Sequence, residues 1–317
     1  MTNISTGTSH AKIILIGEHS VVYNQPAIAL PLPAVEAKVT ITSRYDGRQF
    51  INSDFFSGSL AALPGSMNGN RRLIHALLNR FNAQTAGFEM TIKSDVPAER
   101  GMGSSAATAV AIVRAMYHFF GATISADVLT QSANIAESIT HGNPSGIDVA
   151  TTTATNPVWF VHNQGSTELN LNLSGALVIA DTGIHGRTSE AVQSVANKLA
   201  TQQLETRAMI DQLGDLAAFT RIAIEEDNLL SLGDSMTEAQ RILTHLQVSH
   251  PHIDHLVDVA LANGALGAKL TGGGLGGCVI ALTDTVSAAK DLQSVLLNSG
   301  ATNTWVQPFT KTEELIK

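Results

Sequence analysis

Gly101, Gly103, Ser104 and Ser105, within the segment DVPAERGMGSSAA at residues 95–107, are the residues of this sequence best suited to holding a polyanion. Gly101 and Gly103 permit backbone conformations that turn several N–H groups toward one point. The two serines add hydroxyls where a helix begins, and a helix N-terminus favours negative charge. A polyphosphate cradle and ordinary helix capping both fit this pattern. A Walker A loop does not, because the Gly-Lys-Ser/Thr ending is missing. A dinucleotide fingerprint does not either: its third glycine would fall at Ala106, and the acidic partner strand is absent.

Three further segments carry groups that could act on a bound anion. In HAKIILIGEHSVV, residues 10–22, Lys12 interrupts an apolar strand and Glu18-His19 follow its closing glycine. By type alone, a solvent-facing lysine and a turn account for both. Glu137 and Asp148 lie eleven positions apart in ESITHGNPSGID. Glu137 falls at the end of a helix, where the dipole disfavours an anion, so a nearby cation would explain it. Asp148 follows a run of turn formers and could cap the next helix. In KLTGGGLGGC, residues 269–278, five of the six positions from Gly272 to Gly277 are glycine. Such a run between strands implies close backbone approach, with a flexible hairpin as the alternative. His250, His252 and His255 crowd together, but Pro251 breaks their spacing and no strong ligand set is near, so they read as a helix start. Cys278 reads as a small packed residue.

The elements that would position these groups follow from periodicity. Strands are expected at Ala11–Gly17, Ala34–Ser43 and Phe88–Ser94, and helices at Asn68–Asn82, Ala106–Phe120 and Ser125–Ile139 with Ser125 as N-cap. Residues 151–156 and 163–174 are polar and turn-rich, which places a domain boundary near 170 and gives domains at 1–170 and 171–317. Beyond it come a strand at Ala176–Asp181, a helix from Thr188, a helical stretch over Glu205–Gln247 and a helix at Pro251–Asn263. Strands at Ala268–Leu270, Cys278–Leu282 and Thr304–Pro308, with a helix at Val286–Leu297, complete an α+β arrangement.

The chain has 317 residues, 44% hydrophobic and 15% charged, enough for two independent cores and incompatible with disorder. Nineteen basic against 27 acidic side chains give a formal net charge of −8, which argues against nucleic acid as the main partner. One cysteine excludes an internal disulfide and any multi-cysteine metal site. No secretory leader is visible and no apolar run approaches the ~20 residues of a membrane span. These features predict a soluble, cytoplasmic protein.

Taken in order and spacing, the four segments resemble the small-molecule kinases named for galactokinase, homoserine, mevalonate and phosphomevalonate kinases, the GHMP family. The family's phosphate loop, Pro-x-x-x-Gly-Leu-Gly-Ser-Ser-Ala, is matched from Pro97 to Ala106 with Met102 in place of leucine. Lys12 with Gly17-Glu18-His19-Ser-Val-Val, and His141-Gly-Asn-Pro-Ser-Gly-Ile-Asp148, are most similar to the mevalonate-phosphorylating branch. Galactokinases share Gly-Glu-His but continue with an acidic-aromatic sequence, and homoserine kinases lack the aspartate. One departure is His10-Ala11 where the family usually has Pro-Gly.

The resemblance implies a two-domain α+β fold, with a ribosomal-protein-like N-terminal domain, a ferredoxin-like C-terminal domain and an active site in the cleft between them. It implies transfer of the γ-phosphoryl group of ATP to the primary hydroxyl of (R)-mevalonate, with Mg²⁺ as cofactor. Pro97, Gly101, Met102, Gly103, Ser104, Ser105 and Ala106 would hold ATP, and Ser105 and Glu137 the metal. Asp148 would be the base or orient the hydroxyl, and Lys12 would stabilise the alkoxide and the phosphoryl in flight. Glu18, His19, Arg187 and Thr188 are implied at the mevalonate end. The partners implied are ATP and mevalonate, with neither nucleic acid nor membrane, and a homodimer is compatible with the pattern.

Overall fold

The computed structural model describes residues 3–141 and 145–309. Gly142, Asn143 and Pro144 of the resemblance therefore lie outside the described residues. The chain forms two compact units, each drawn from separate stretches. The first takes the residues up to Lys12, then Pro31–Ala98 and Gly103–Thr155; the second takes Ile13–Leu30, Glu99–Met102 and the residues from Asn156 onward. The sequence points to a single boundary near 170. The division differs because two long strands run through from one unit into the other, which no shift in composition reveals.

Those strands are β1 (Ile4–Ile16) and β2 (Pro26–Ser43), which pair with each other. Both are longer than their apolar cores suggest. Pro26, Pro31 and Pro33 conceal the first half of β2, because proline cannot donate to a ladder and reads as a strand breaker. In the first unit β2 pairs antiparallel with β5 (Phe88–Ser94), Ile41 opposite Met90 and Val39 opposite Ile92. Beyond β5 lie β3 (Gln49–Ser53), parallel to it, and β4 (Phe56–Ser59). These two short strands lack the alternation that would mark them.

The helices of this unit are α1 (Asn68–Arg80), α2 (Ser104–Phe119), α3 (Ala126–His141), packed on α1 and α2, and α4 (Ile147–Thr153), packed on α2 and α3. Leu73 and Leu77 of α1 join Phe88 and Met90 in a core shared with the alanine-rich face of α2. Each such side chain contributes ~2 kcal/mol by leaving water. Helix α4 occupies a stretch that reads as turn-rich because of its three threonines. Their hydroxyls are satisfied inside the helix: Thr151 donates to the Ile147 carbonyl at 2.7 Å and Thr153 to that of Val149 at 2.9 Å.

In the second unit the start of β2 pairs antiparallel with β6 (Val158–Val161), and β6 with β7 (Gly165–Glu168). An antiparallel sheet is built from β8 (Ala176–Asp181), β9 (Gly267–Thr271), β10 (Cys278–Thr283) and β11 (Asn303–Pro308), in the order β11-β8-β10-β9. The helices are α5 (Thr188–Thr201), α6 (Gln203–Glu225), α7 (Leu229–His245), α8 (Pro251–Ala262) and α9 (Val286–Asn298). The expected helical stretch over 205–247 is two helices. Asp227 adopts a left-handed φ of 53°, and the Asn228 side chain then caps α7 by accepting from the Ser231 N–H. His250 caps α8 in the same way, its Nδ1 accepting from His252. Among the described residues no helix is long and apolar enough to cross a membrane.

Candidate active site

Lys12 sits in β1 between Ala11 and Ile13 and is 2% exposed. An ammonium group so placed needs a counter-charge, since an unpaired buried charge is strongly disfavoured. Asp148 supplies it, with Oδ1 2.9 Å from the Lys12 Nζ. Lys12 thus does not face solvent, as its type alone would suggest. Asp148 is the second residue of α4, and Gly146 occupies the cap position instead. There the helix dipole favours a negative charge, and about a third of the carboxylate stays in contact with solvent.

Gly103 rests against the lysine stem. A Cβ built on it would lie 2.8 Å from Lys12 Cγ, and its φ of +74° disfavours any other residue. Helix α2 starts at Ser104, two residues before the start at Ala106 that the sequence suggests, so both serines fall in its first turn. The Ser104 hydroxyl donates to the Val96 carbonyl at 3.3 Å, one residue before Pro97. Ala106 and Met102 are fully buried, so they shape the loop by packing while the backbone and Ser105 remain for a ligand. Gly101 and Met102 belong to the second unit and Gly103 to the first. Glu137, in the last turns of α3, is 2% exposed. A carboxylate and a serine hydroxyl are the hard oxygen donors Mg²⁺ takes, and a set this small suits an ion that keeps waters and phosphate oxygens. Among the described residues no group of three or more His, Cys, Asp or Glu could hold a metal by itself.

The second unit carries the other cluster. Glu18 is fully buried and its carboxylate accepts from the Lys269 ammonium, also fully buried. His19 adopts a positive φ of 60° with ψ −46°, and its Nε2 lies 2.9 Å from the Gly273 carbonyl. Thr188, at the start of α5, packs on the same glycine, where a Cβ would approach its Oγ1 to 2.3 Å. Gly273 therefore brings His19 and Thr188 together. Arg187 does not join them through its side chain, which is exposed and paired with Glu190 at 2.9 Å. The glycine loop is pinned rather than flexible: Leu275 donates to the Val248 carbonyl and Gly277 to that of Ile184, each at 2.8 Å. Cys278, which follows, is buried.

Burial pushes the His19 pKa from 6.5 down to about 4, with the Lys269 charge acting in the same direction against the Gly273 hydrogen bond. The unfolded chain therefore takes up a proton near pH 6.5 that the folded chain refuses until about pH 4. The stabilisation is complete above pH 6.5 and is lost as pH falls toward 4. Between pH 7 and 5 the loss comes to about 2 kcal/mol. Urea unfolding at the two pH values should show that extra loss in wild type and not in His19→Asn, asparagine being among the residues most often found at positive φ. Equal pH dependence in both would mean the ring titrates normally.

The models for the GHMP kinases N terminal domain and GHMP kinases C terminal match residues 70–156 and 220–301. A mevalonate kinase of Aeropyrum pernix is 31% identical over 312 residues, covering 94% of each chain. The chain belongs to the GHMP kinases. The crystal structure of mevalonate kinase from methicillin-resistant Staphylococcus aureus is 34% identical, with a TM-score of 0.75 over 96% of this chain and 99% of that one. The crystal structure of L. major mevalonate kinase in complex with R-mevalonate shares the fold, with a TM-score of 0.84 at 23% identity over 98% of this chain and 97% of that one.

Within this GHMP kinase the sequence motifs fall into two local clusters, Lys12–Asp148–Gly103 and His19–Gly273–Thr188. Sequence reasoning missed Lys269, although it stands in a quoted motif. The usable signal was the one that flagged Lys12: a lysine set inside a strand whose neighbours are all apolar.

Proposed function

We propose that this GHMP kinase transfers the γ-phosphoryl group of ATP to the primary hydroxyl of (R)-mevalonate, giving 5-phosphomevalonate and ADP, the first kinase step of the mevalonate route to isoprenoids. The observation that carries the reading is the ion pair of Lys12 and Asp148, seated against the phosphate loop at Gly103. Phosphoryl transfer asks for positioning and charge neutralisation rather than covalent chemistry. Asp148 accepts the hydroxyl proton or orients it, the hydroxyl oxygen bonds to the γ-phosphorus, and the bond to the β,γ-bridging oxygen breaks. Lys12 neutralises charge on the incoming oxygen and the moving phosphoryl group. Backbone N–H groups of 101–106 and the Ser105 hydroxyl receive the phosphates. Ser105 and Glu137 would hold Mg²⁺, which when bound offsets charge on the β- and γ-phosphates. The choice of mevalonate follows the named relatives, with His19 and Thr188 placed at its non-reacting end.

ADP release measured over mevalonate, phosphomevalonate, galactose and homoserine tests the reading. Mevalonate should be turned over fastest, and preference for another of the four would overturn the substrate assignment. Glu137→Gln and Ser105→Ala should each raise the Mg²⁺ concentration for half-maximal rate and lower kcat. An unchanged Mg²⁺ dependence in both would remove them from the metal site.

A further inference from the structure

We infer that Lys269 and Glu18 are a positioning pair that locks the His19 ring with its hydrogen on Nε2, leaving Nδ1 as the acceptor for the substrate hydroxyl that does not react. The inference rests on the placement of His19 at the substrate end and replaces direct substrate contact by Glu18.

The geometry begins in β9. Lys269 and Thr271 stand two residues apart, on one face of the strand. The Thr271 hydroxyl donates to the Ile14 carbonyl and accepts from the Ile14 N–H, both at 2.9 Å. Lys269 donates to Glu18 and, at 2.6 Å, to the Leu270 carbonyl. On the other side of the strand the Leu270 N–H donates to Gln240 Oε1 at 2.9 Å. Three consecutive residues of β9 are thus fixed, and the chain leaves Thr271 directly into Gly272-Gly273. Glu18 is tied to Lys269 and His19 to Gly273, so neighbouring residues are held by one strand and its loop.

A buried ion pair is a poor source of stability, because desolvation of both charges offsets their attraction and an apolar pair would pack as well. Its worth lies in orientation. A carbonyl oxygen only accepts, so the contact with Gly273 requires hydrogen on His19 Nε2. The depressed His19 pKa keeps the second ring nitrogen bare at neutral pH, and the Lys269 charge supports that state. A bare Nδ1 receives a hydroxyl hydrogen and repels a carboxylate. The group it fits on the proposed substrate is the tertiary hydroxyl.

Two measurements test this. Long-range ¹⁵N–¹H spectra of histidine-labelled, substrate-free protein at pH 7 should show His19 neutral and protonated on Nε2. The double variant Glu18→Leu/Lys269→Met, which replaces the pair by an apolar one and so retains the fold, should lose that single tautomer. A His19 protonated on Nδ1 or on both nitrogens, or a folded double variant with the wild-type spectrum, overturns the positioning role. This arm contains no substrate, so it stands even if mevalonate is not turned over. The second arm compares mevalonate with 5-hydroxy-3-methylpentanoate, which lacks the tertiary hydroxyl. His19→Asn should raise KM about tenfold for mevalonate and leave that of the analogue within about twofold. A penalty that persists with the analogue would place His19 on the carboxylate.

Discussion

Asp148→Asn should fold, bind Mg-ATP and turn over ~100- to 10,000-fold more slowly than wild type. Asparagine keeps the shape and an oxygen that can accept from the Lys12 ammonium at a separation of 2.9 Å in wild type. It removes only the charge. The substrate hydroxyl then has no carboxylate to receive or orient its proton, while the loop that holds the nucleotide is untouched. Stability should fall, because the buried Lys12 ammonium loses its counter-charge, but by less than the ~3–5 kcal/mol of a fully buried pair, since the asparagine oxygen still accepts and the site is partly open to solvent. Single-turnover kinetics with nucleotide binding measured separately will check this. A kcat near wild type would leave Asp148 with a structural role alone.

Lys12→Met should lower kcat by ~100- to 1000-fold while the KM for ATP moves within about threefold. Methionine has nearly the length of lysine and no charge, so it fills the buried site in β1 without leaving an unpaired cation. The stem that supports Gly103 is largely replaced, and the phosphate loop keeps its seat. Charge on Lys12 matters most when the phosphoryl group is between oxygens, which is why the loss appears in kcat. Arginine is not a substitute, because its planar fork does not fit a slot closed by Gly103. A change confined to the KM for ATP would make Lys12 a nucleotide-binding residue.

The residues assigned to the proposed site stood out less by type, since a solvent-facing lysine, a turn and a helix cap would account for several of them, than by the order and spacing of the motifs they belong to. Local oddities, Lys12 in an apolar strand, Glu137 at a helix end and a glycine run between strands, drew attention to these segments without deciding their roles. Their partners were less readable, because pairing across 251 positions, as between Glu18 and Lys269, leaves no local mark. Strand β5, with its alternation, and strands β8 and β10, with continuous apolar runs, stood out. Strands β3, β4 and β7 are short and polar, and the first half of β2 is masked by proline, so only their neighbours define them. The threonines of α4 read as turn formers until their hydroxyls find carbonyls within the helix.

The bond between Ile14 and Thr271 also sets a clock for the growing chain. These residues are 257 positions apart, and at ~5–20 residues per second a ribosome takes roughly 13–50 s to make the intervening stretch. Until then the apolar run at residues 13–16 has left the ribosome without the β9 contacts that later secure it. An apolar strand waiting in this state is open to pairing with other nascent chains. Contacts of such separation also slow folding after release, since loop closure must precede any gain from them. Shielding of the first strand during synthesis, in part by its early partner β2, is therefore one influence on the yield of folded protein, and it acts before the last strands exist.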